Sequence, residues 1–232
     1  MTSKSKSKNK NNNENKLETD YDIKLIIIGN TSTGKTSIVN QFISKSFNLK
    51  YTATIASDFQ YKLIKIDNLK YRIQFWDLAG ADNSQTYMGL FCRDIHGIII
   101  CCSCDDSKSR EDTLQWKNSL NGIVEEWVPI ILCENKCDLF GETENDYLKD
   151  VDSLNNFSEQ NNFLCAFRVS AKVNYNINEM INYLVKYIKN KCSDKIVQSS
   201  FSDSASDNDS EKNKNRISLG KNDNNNKKSC HC

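Results

Sequence analysis

The residues Gly29-Asn30-Thr31-Ser32-Thr33-Gly34-Lys35-Thr36 combine two glycines, a lysine and a run of hydroxyl side chains at the spacing G-x-x-x-x-G-K-[ST]. That combination suits a phosphate. Glycine lets the backbone fold into a cradle whose N–H groups point inward, and a helix starting there adds the positive potential of its N-terminus. Lys35 places a cation near the β- and γ-phosphates of a nucleotide. The Thr36 hydroxyl is suited to ligate Mg²⁺, and Ser37 extends the cradle. A chance glycine-rich turn needs no frame around it. Here Ile23–Ile28, apolar except for Lys24, runs into Gly29, and an amphipathic stretch follows Thr36. The loop alone separates neither ATP from GTP nor a kinase from a switch.

The elements that must hold this loop are legible in the patterning. Phe59–Ile66 and Tyr71–Trp76 alternate as half-buried strands do, with Asp67-Asn68 as the turn between them. Gly97–Cys104, Pro129–Cys133 and Phe163–Val169 are three more short apolar runs. Near-continuous apolar strands belong to a parallel sheet covered on both faces. Helical periodicity falls at about 35–45, 109–125, 146–161 and 176–190, the last through Ile177, Ile181, Leu184, Val185 and Ile188. Strand–helix alternation predicts an α/β fold, a doubly wound, mostly parallel six-stranded sheet with one hairpin at its edge. The chain of 232 residues carries a net charge of +1, which disfavours a general nucleic-acid binder. Residues 1–19 and 193–232 are Lys/Asn/Ser/Asp-rich with little to bury, so a disordered arm and a disordered tail are expected around a domain at 20–192. The ten cysteines match no disulfide or zinc spacing. Cys101, Cys102 and Cys104 lie in an apolar run, as small buried hydrophobes do. With no apolar leader in residues 1–16, reduced thiols in a cytosolic compartment are expected. No stretch approaches the ~20 apolar residues of a membrane span, so membrane contact would come from a surface or a lipid.

Two further motifs follow strands in order: Asn135-Lys136-Cys137-Asp138 and Ser170-Ala171-Lys172. Together with Trp76-Asp77-Leu78-Ala79-Gly80 they resemble the guanine-binding and switch motifs of Ras-like small GTPases, over residues 21–190. Thr54-Ile55-Ala56-Ser57-Asp58-Phe59 and the ending Cys230-His231-Cys232 narrow the resemblance to the Rab family. A carboxylate at Asp138 can accept from both N1–H and N2–H₂ of guanine, a donor pair that adenine lacks, and a site built on such bonds rejects analogues strongly. The resemblance implies the remaining roles. Asn135 braces the loop, the Lys136 stem lies over the base, and the Ala171 N–H meets the guanine carbonyl, with Ser170 and Lys172 completing that loop. Phe47 stacks on the base and Tyr51 joins the nucleotide contacts. Mg²⁺ is held by Thr36 and Thr54, with Asp77 acting through a water. Thr54 and the Gly80 N–H sense the γ-phosphate and, with Lys35, form the catalytic set. Phe59, Trp76 and Phe91 form a patch that effectors read.

The chain departs from the family pattern where hydrolysis is controlled. Ala81 stands where the family has the Gln that orients the attacking water. Thr31 replaces a Gly or Ser, Ala56 a Gly, and Asp82-Asn83-Ser84 a Glu-Arg-Phe. The expected protein is therefore a GTP/GDP- and Mg²⁺-binding switch that hydrolyses GTP slowly in membrane traffic. The alternatives are a GTP-loaded binding module with little hydrolysis, favoured by Ala81, and a P-loop nucleotide kinase, disfavoured by the two base motifs. Geranylgeranyl groups on Cys230 and Cys232 would anchor it to the cytoplasmic face of a membrane, with a cytosolic pool, since two chains hold where one is marginal. Effectors, an exchange factor, an activating protein, the prenylation machinery and a prenyl-binding chaperone are the implied partners of a monomer.

Overall fold

The computed structural model describes residues 19–193 apart from 51, 53, 55, 56, 81–84 and 192. The chain divides into two units, 1–200 and 201–232, and every described residue lies in the first. Six strands, β1 (Tyr21–Ile28), β2 (Asp58–Ile66), β3 (Leu69–Asp77), β4 (Gly97–Ser103), β5 (Ile130–Asn135) and β6 (Ala166–Arg168), form one sheet in the order β2-β3-β1-β4-β5-β6. Among the described strands only the β2–β3 pair is antiparallel. Its connecting residues Asp67 and Asn68 both have positive φ (50° and 68°), the conformation a two-residue hairpin turn requires. The fold class read from the sequence is correct, and the hairpin does occupy the sheet's edge.

The strand β1 shows why the sheet needs two layers of helix. Ile23, Leu25 and Ile27 enter one core with Phe42, Met180, Leu184 and Ile188, from α1 (Lys35–Ser44) and α6 (Ile177–Lys191). Ile26 and Ile28 enter the other, with Trp116 of α3 (Ser107–Ser119), Leu154 of α5 (Val151–Gln160) and Met88 of α2 (Gln85–Phe91). Alternate residues of a strand point to opposite faces, so a strand apolar at nearly every position must be covered on both. Burying each such side chain contributes about 1.5–3 kcal/mol.

Several boundaries differ from the sequence reading. The stretch 146–161 is two helices, α4 (Glu144–Tyr147) and α5, broken at Asp150, whose φ is 58°. A capping box starts α4: Asp146 N–H donates to Thr143 Oγ1 (3.2 Å) and Thr143 N–H to Asp146 Oδ2 (3.0 Å). The helix expected at 109–125 starts earlier, at Ser107, because Asp106 caps it by accepting from the N–H groups of Lys108 and Ser109. It ends earlier too, in turns around Gly122 (φ 76°). The short helix α2 has no counterpart in the reading. The last strand is shorter than Phe163–Val169, and β5 opens after Pro129 and runs on to Asn135. Cys101 and Cys102 are fully buried, as expected, but Cys104 is half-buried and donates through Sγ to the Asn135 carbonyl (2.8 Å).

Candidate functional site

The loop between β1 and α1 owes its shape to two positions where a side chain cannot stand. A Cβ on Gly29 (φ 138°) would lie 2.1 Å from the Cys101 carbonyl oxygen, and one on Gly34 (φ 91°) would lie 2.2 Å from Asn135 Nδ2. Their absence lets the loop settle onto β4 and the end of β5. Asn135 then ties the loop down: its Nδ2 donates to the Thr33 carbonyl (2.9 Å), while its Oδ1 accepts from the Ala171 N–H (3.1 Å). One buried amide thus links the phosphate loop, β5 and the loop after β6. The Ala171 N–H, expected to meet a base carbonyl, donates in this structure to Asn135. Lys35 Nζ donates to the carbonyls of Gly29 and Asn30, both at 2.9 Å. Burial pushes the Lys35 pKa down, while Asp77 draws it up.

On one side of Lys35 the hydroxyls of Thr36 and Thr54 lie 2.9 Å apart, and Thr36 Oγ1 donates to Asp77 Oδ2 (2.5 Å). The second Asp77 oxygen, Oδ1, is buried without a hydrogen-bond partner. Burial raises the Asp77 pKa, and the Thr36 hydroxyl and Lys35 oppose that shift. A buried carboxylate oxygen with nothing to accept, beside two convergent hydroxyls, fits a small hard cation. Among the described residues no group of three or more His, Cys, Asp or Glu is placed to hold a metal ion. Two hydroxyls and one carboxylate oxygen suit an ion that keeps waters and phosphate oxygens in its shell, as Mg²⁺ does.

On the other side lie the base motifs. Asp138 follows β5 in a short 3₁₀ turn, Cys137–Leu139, entered through Lys136 at φ 70°. Its Oδ1 accepts from Ser170 Oγ (2.5 Å), and Lys172 Nζ stands 3.5 Å from Oδ2. Lys136 Nζ pairs with Asp105 Oδ2 at 3.1 Å. Beneath these loops is a fully buried carboxylate, Glu134, the residue before Asn135. It pairs with Arg168 (Oε2 to Nε 2.7 Å and to Nη2 2.6 Å) and accepts from Arg110 Nε (3.0 Å). Arg168 also donates to the carbonyls of Tyr147 and Lys149, and Phe140 lies against its guanidinium (4.9 Å).

Phosphate loop, hydroxyl pair and base motifs open on one cavity of about 600 Å³. Thr31, Ser32, Gly34, Lys35, Thr36, Ser37, Phe47, Thr54, Gly80, Asn135, Lys136, Asp138, Ala171 and Lys172 line it. Gly29, Asn30, Thr33, Asp77 and Ser170 stand behind that lining and hold it in place. The order of elements, the phosphate loop and both base motifs point to the same family. A family model described as the Ras family fits residues 24–190.

The chain belongs to the Ras family.

Within it the chain is a divergent Rab-like small GTPase. It is 29% identical over 163 residues to Ras-related protein Rab-32A of Dictyostelium discoideum, covering 68% of the chain and 73% of that protein. It is 34% identical over 122 residues to Ras-related protein RIC1 of Oryza sativa subsp. japonica, covering 53% of the chain and 60% of that protein. It is 33% identical over 120 residues to Ras-related protein Rab-13 of Canis lupus familiaris, covering 52% of the chain and 59% of that protein. The chain thus spans about three fifths of the length of the last two.

Three further groups of residues bear on the expectations drawn from the sequence. Phe59, Trp76 and Phe91 do come together: ring centroids are 5.1 Å apart for Phe59–Trp76 and 5.8 Å for Trp76–Phe91. They sit on β2, β3 and α2, and Phe59 is 46% exposed. Tyr51, Ala56, Ala81, Asp82, Asn83, Ser84, Cys230 and Cys232 lie outside the described residues. Leu139 and Leu49, exposed in the cavity wall, and the Glu134–Arg168–Arg110 cluster beneath it were missed in the sequence. Leu49 sits in an irregular segment and Leu139 at the end of a single 3₁₀ turn, too short for a period to mark either. The cluster had a signal: Arg168 lies inside one apolar run and Glu134 directly follows another, each next to a base motif.

Proposed function

We propose that this Ras-family protein is a membrane-anchored GTP/GDP switch of Rab type that hydrolyses GTP slowly and recruits partners in membrane traffic. The observation that carries the reading is the Asn135 amide, which joins the phosphate loop to the loop after β6 and so makes one cavity from motifs more than a hundred residues apart. Asp138 then selects guanine, its carboxylate already oriented by Ser170. Lys35, aimed by two carbonyls, stabilises charge on the phosphates. Thr36, Thr54 and Asp77 would hold Mg²⁺, which when bound neutralises charge between the β- and γ-phosphates. Thr54 and Gly80 sense the γ-phosphate. Phe59, Trp76 and Phe91 offer partners a contiguous aromatic surface.

Ala81 favours a second reading, a GTP-loaded module that barely hydrolyses. A methyl group neither donates to nor accepts from the attacking water, so Lys35 and the loop N–H groups act without a residue that positions it. Single-turnover hydrolysis of γ-labelled GTP tests both readings. Ala81→Gln should raise the intrinsic rate about tenfold, on the order of 1.4 kcal/mol in the barrier. A parent protein already as fast as the variant would remove the case for slow hydrolysis. Among the described residues no helix is long and apolar enough to cross a membrane. Membrane attachment is assigned to lipid on Cys230 and Cys232, and a Cys230→Ser/Cys232→Ser protein that still sedimented with membranes would overturn that assignment.

A further inference from the structure

Asn30, the second residue of the phosphate loop, has its side-chain amide held at both ends by one helix. Its Nδ2 donates to Asp112 Oδ2 (2.8 Å), and its Oδ1 accepts from Trp116 Nε1 (2.8 Å). Asp112 and Trp116 lie four residues apart on α3 and so share a face. One partner demands a donor and the other an acceptor, so only one orientation of the amide satisfies both. Trp116 is 3% exposed, and its indole N–H has little water to turn to if Asn30 moves away.

The main chain of the same residue serves Lys35. The Asn30 carbonyl accepts from Lys35 Nζ and from Thr33 Oγ1, both at 2.9 Å, and the Gly29 carbonyl takes a second Lys35 N–H at 2.9 Å. An ammonium has three N–H bonds, so fixing two directions fixes the third. Lys35 Nζ lies 2.6 Å from the point where a side chain on Gly80 would begin, so the ammonium sits where the second switch meets the phosphate loop.

We propose that Asp112 and Trp116 are positioning residues for Lys35: through Asn30, helix α3 holds the carbonyls that aim the ammonium at the phosphates. This rests on the reading of the cavity as a GTP/GDP site. The test is release of a fluorescent GDP analogue from the full chain in Mg²⁺, alongside melting temperature. Trp116→Phe, which keeps a ring and loses the N–H, and Asp112→Ala should each speed release about fivefold. Trp116→Phe should add nothing further to Asn30→Ala, because both act through one amide. Leu114→Ala, which removes core packing on the same helix away from Asn30, should lower the melting temperature and leave release unchanged. Unchanged release in both single variants would overturn the proposal. So would full additivity with Asn30→Ala, or an acceleration in Leu114→Ala matching its loss of melting temperature. A parent protein that held no GDP analogue would instead overturn the nucleotide reading beneath it, and would do so before any substitution was made.

Discussion

The two ends of the cavity are built by opposite means. At the phosphate end, shape depends on side chains that are missing: Gly29 and Gly34 leave room for Cys101 and Asn135 to approach the backbone. At the base end, shape depends on side chains that are buried. Glu134, Arg168 and Arg110 form a charged cluster under the loops, and Ser170 holds Asp138. The first strategy tolerates no added atom, and the second tolerates no lost partner. Asn135 belongs to both ends, which is why its amide joins them.

The contrast can be broken by substitution. The largest effect should come from Glu134→Ala, which strands two arginines, one of them nearly fully buried. Breaking a buried pair costs about 3–5 kcal/mol, to be read from urea unfolding. If stability instead held within about 1 kcal/mol, water or relaxation would be replacing the carboxylate, and the base end would not depend on this cluster. Gly34→Ala comes next. Its added Cβ overlaps Asn135 in a left-handed backbone, a penalty of about 2–4 kcal/mol that should appear chiefly as lost GTP affinity in calorimetry. Undiminished GTP affinity would show that the loop can relax around a methyl group.

Asp138→Asn should weaken GTP by about 1.5–3 kcal/mol per lost charge-assisted bond and admit xanthosine nucleotides, measured by competition. Equal affinity for GTP in parent and variant would remove Asp138 from the base contact. The smallest effect should be that of Asp105→Asn, which removes the negative charge paired with Lys136. Asp105 is exposed and Lys136 half-buried, so nucleotide affinity should change by no more than about 1 kcal/mol. A tenfold loss would mean that Lys136 needs its partner to reach the base.

This division also governed what could be read in advance. A loop defined by missing side chains leaves a contiguous glycine signature, and the phosphate loop was legible from Gly29 to Thr36. The strands were legible too, because β1 and β4 are apolar at nearly every position and no other arrangement buries both faces. The base end was legible only through resemblance, since Asn135, Asp138 and Ser170 are brought together by the sheet and not by spacing. One helix boundary was hidden by a left-handed residue with an ordinary side chain. Asp150 divides α4 from α5, and nothing in Asp-Val-Asp announces a break. The Thr143/Asp146 box, in contrast, has the spacing of a helix start in the sequence itself. The short helix α2 carries too few residues for a period to emerge.

The hairpin of β2 and β3 has a consequence for how the chain tolerates insertions. Asp58 pairs with Asp77, and the ladder runs unbroken to Ile66 and Leu69 at the turn. The strand β2 begins just after the first switch segment and β3 ends just before the second, so the turn acts as the zero mark of a ruler with one switch at each arm's end. A residue inserted into one arm would slide that arm's outer end past the other and send Phe59 to the opposite face from Trp76. Changes in arm length are therefore permitted only in matched pairs, and the spacing between the switches is inherited from a turn at the far end of the sheet.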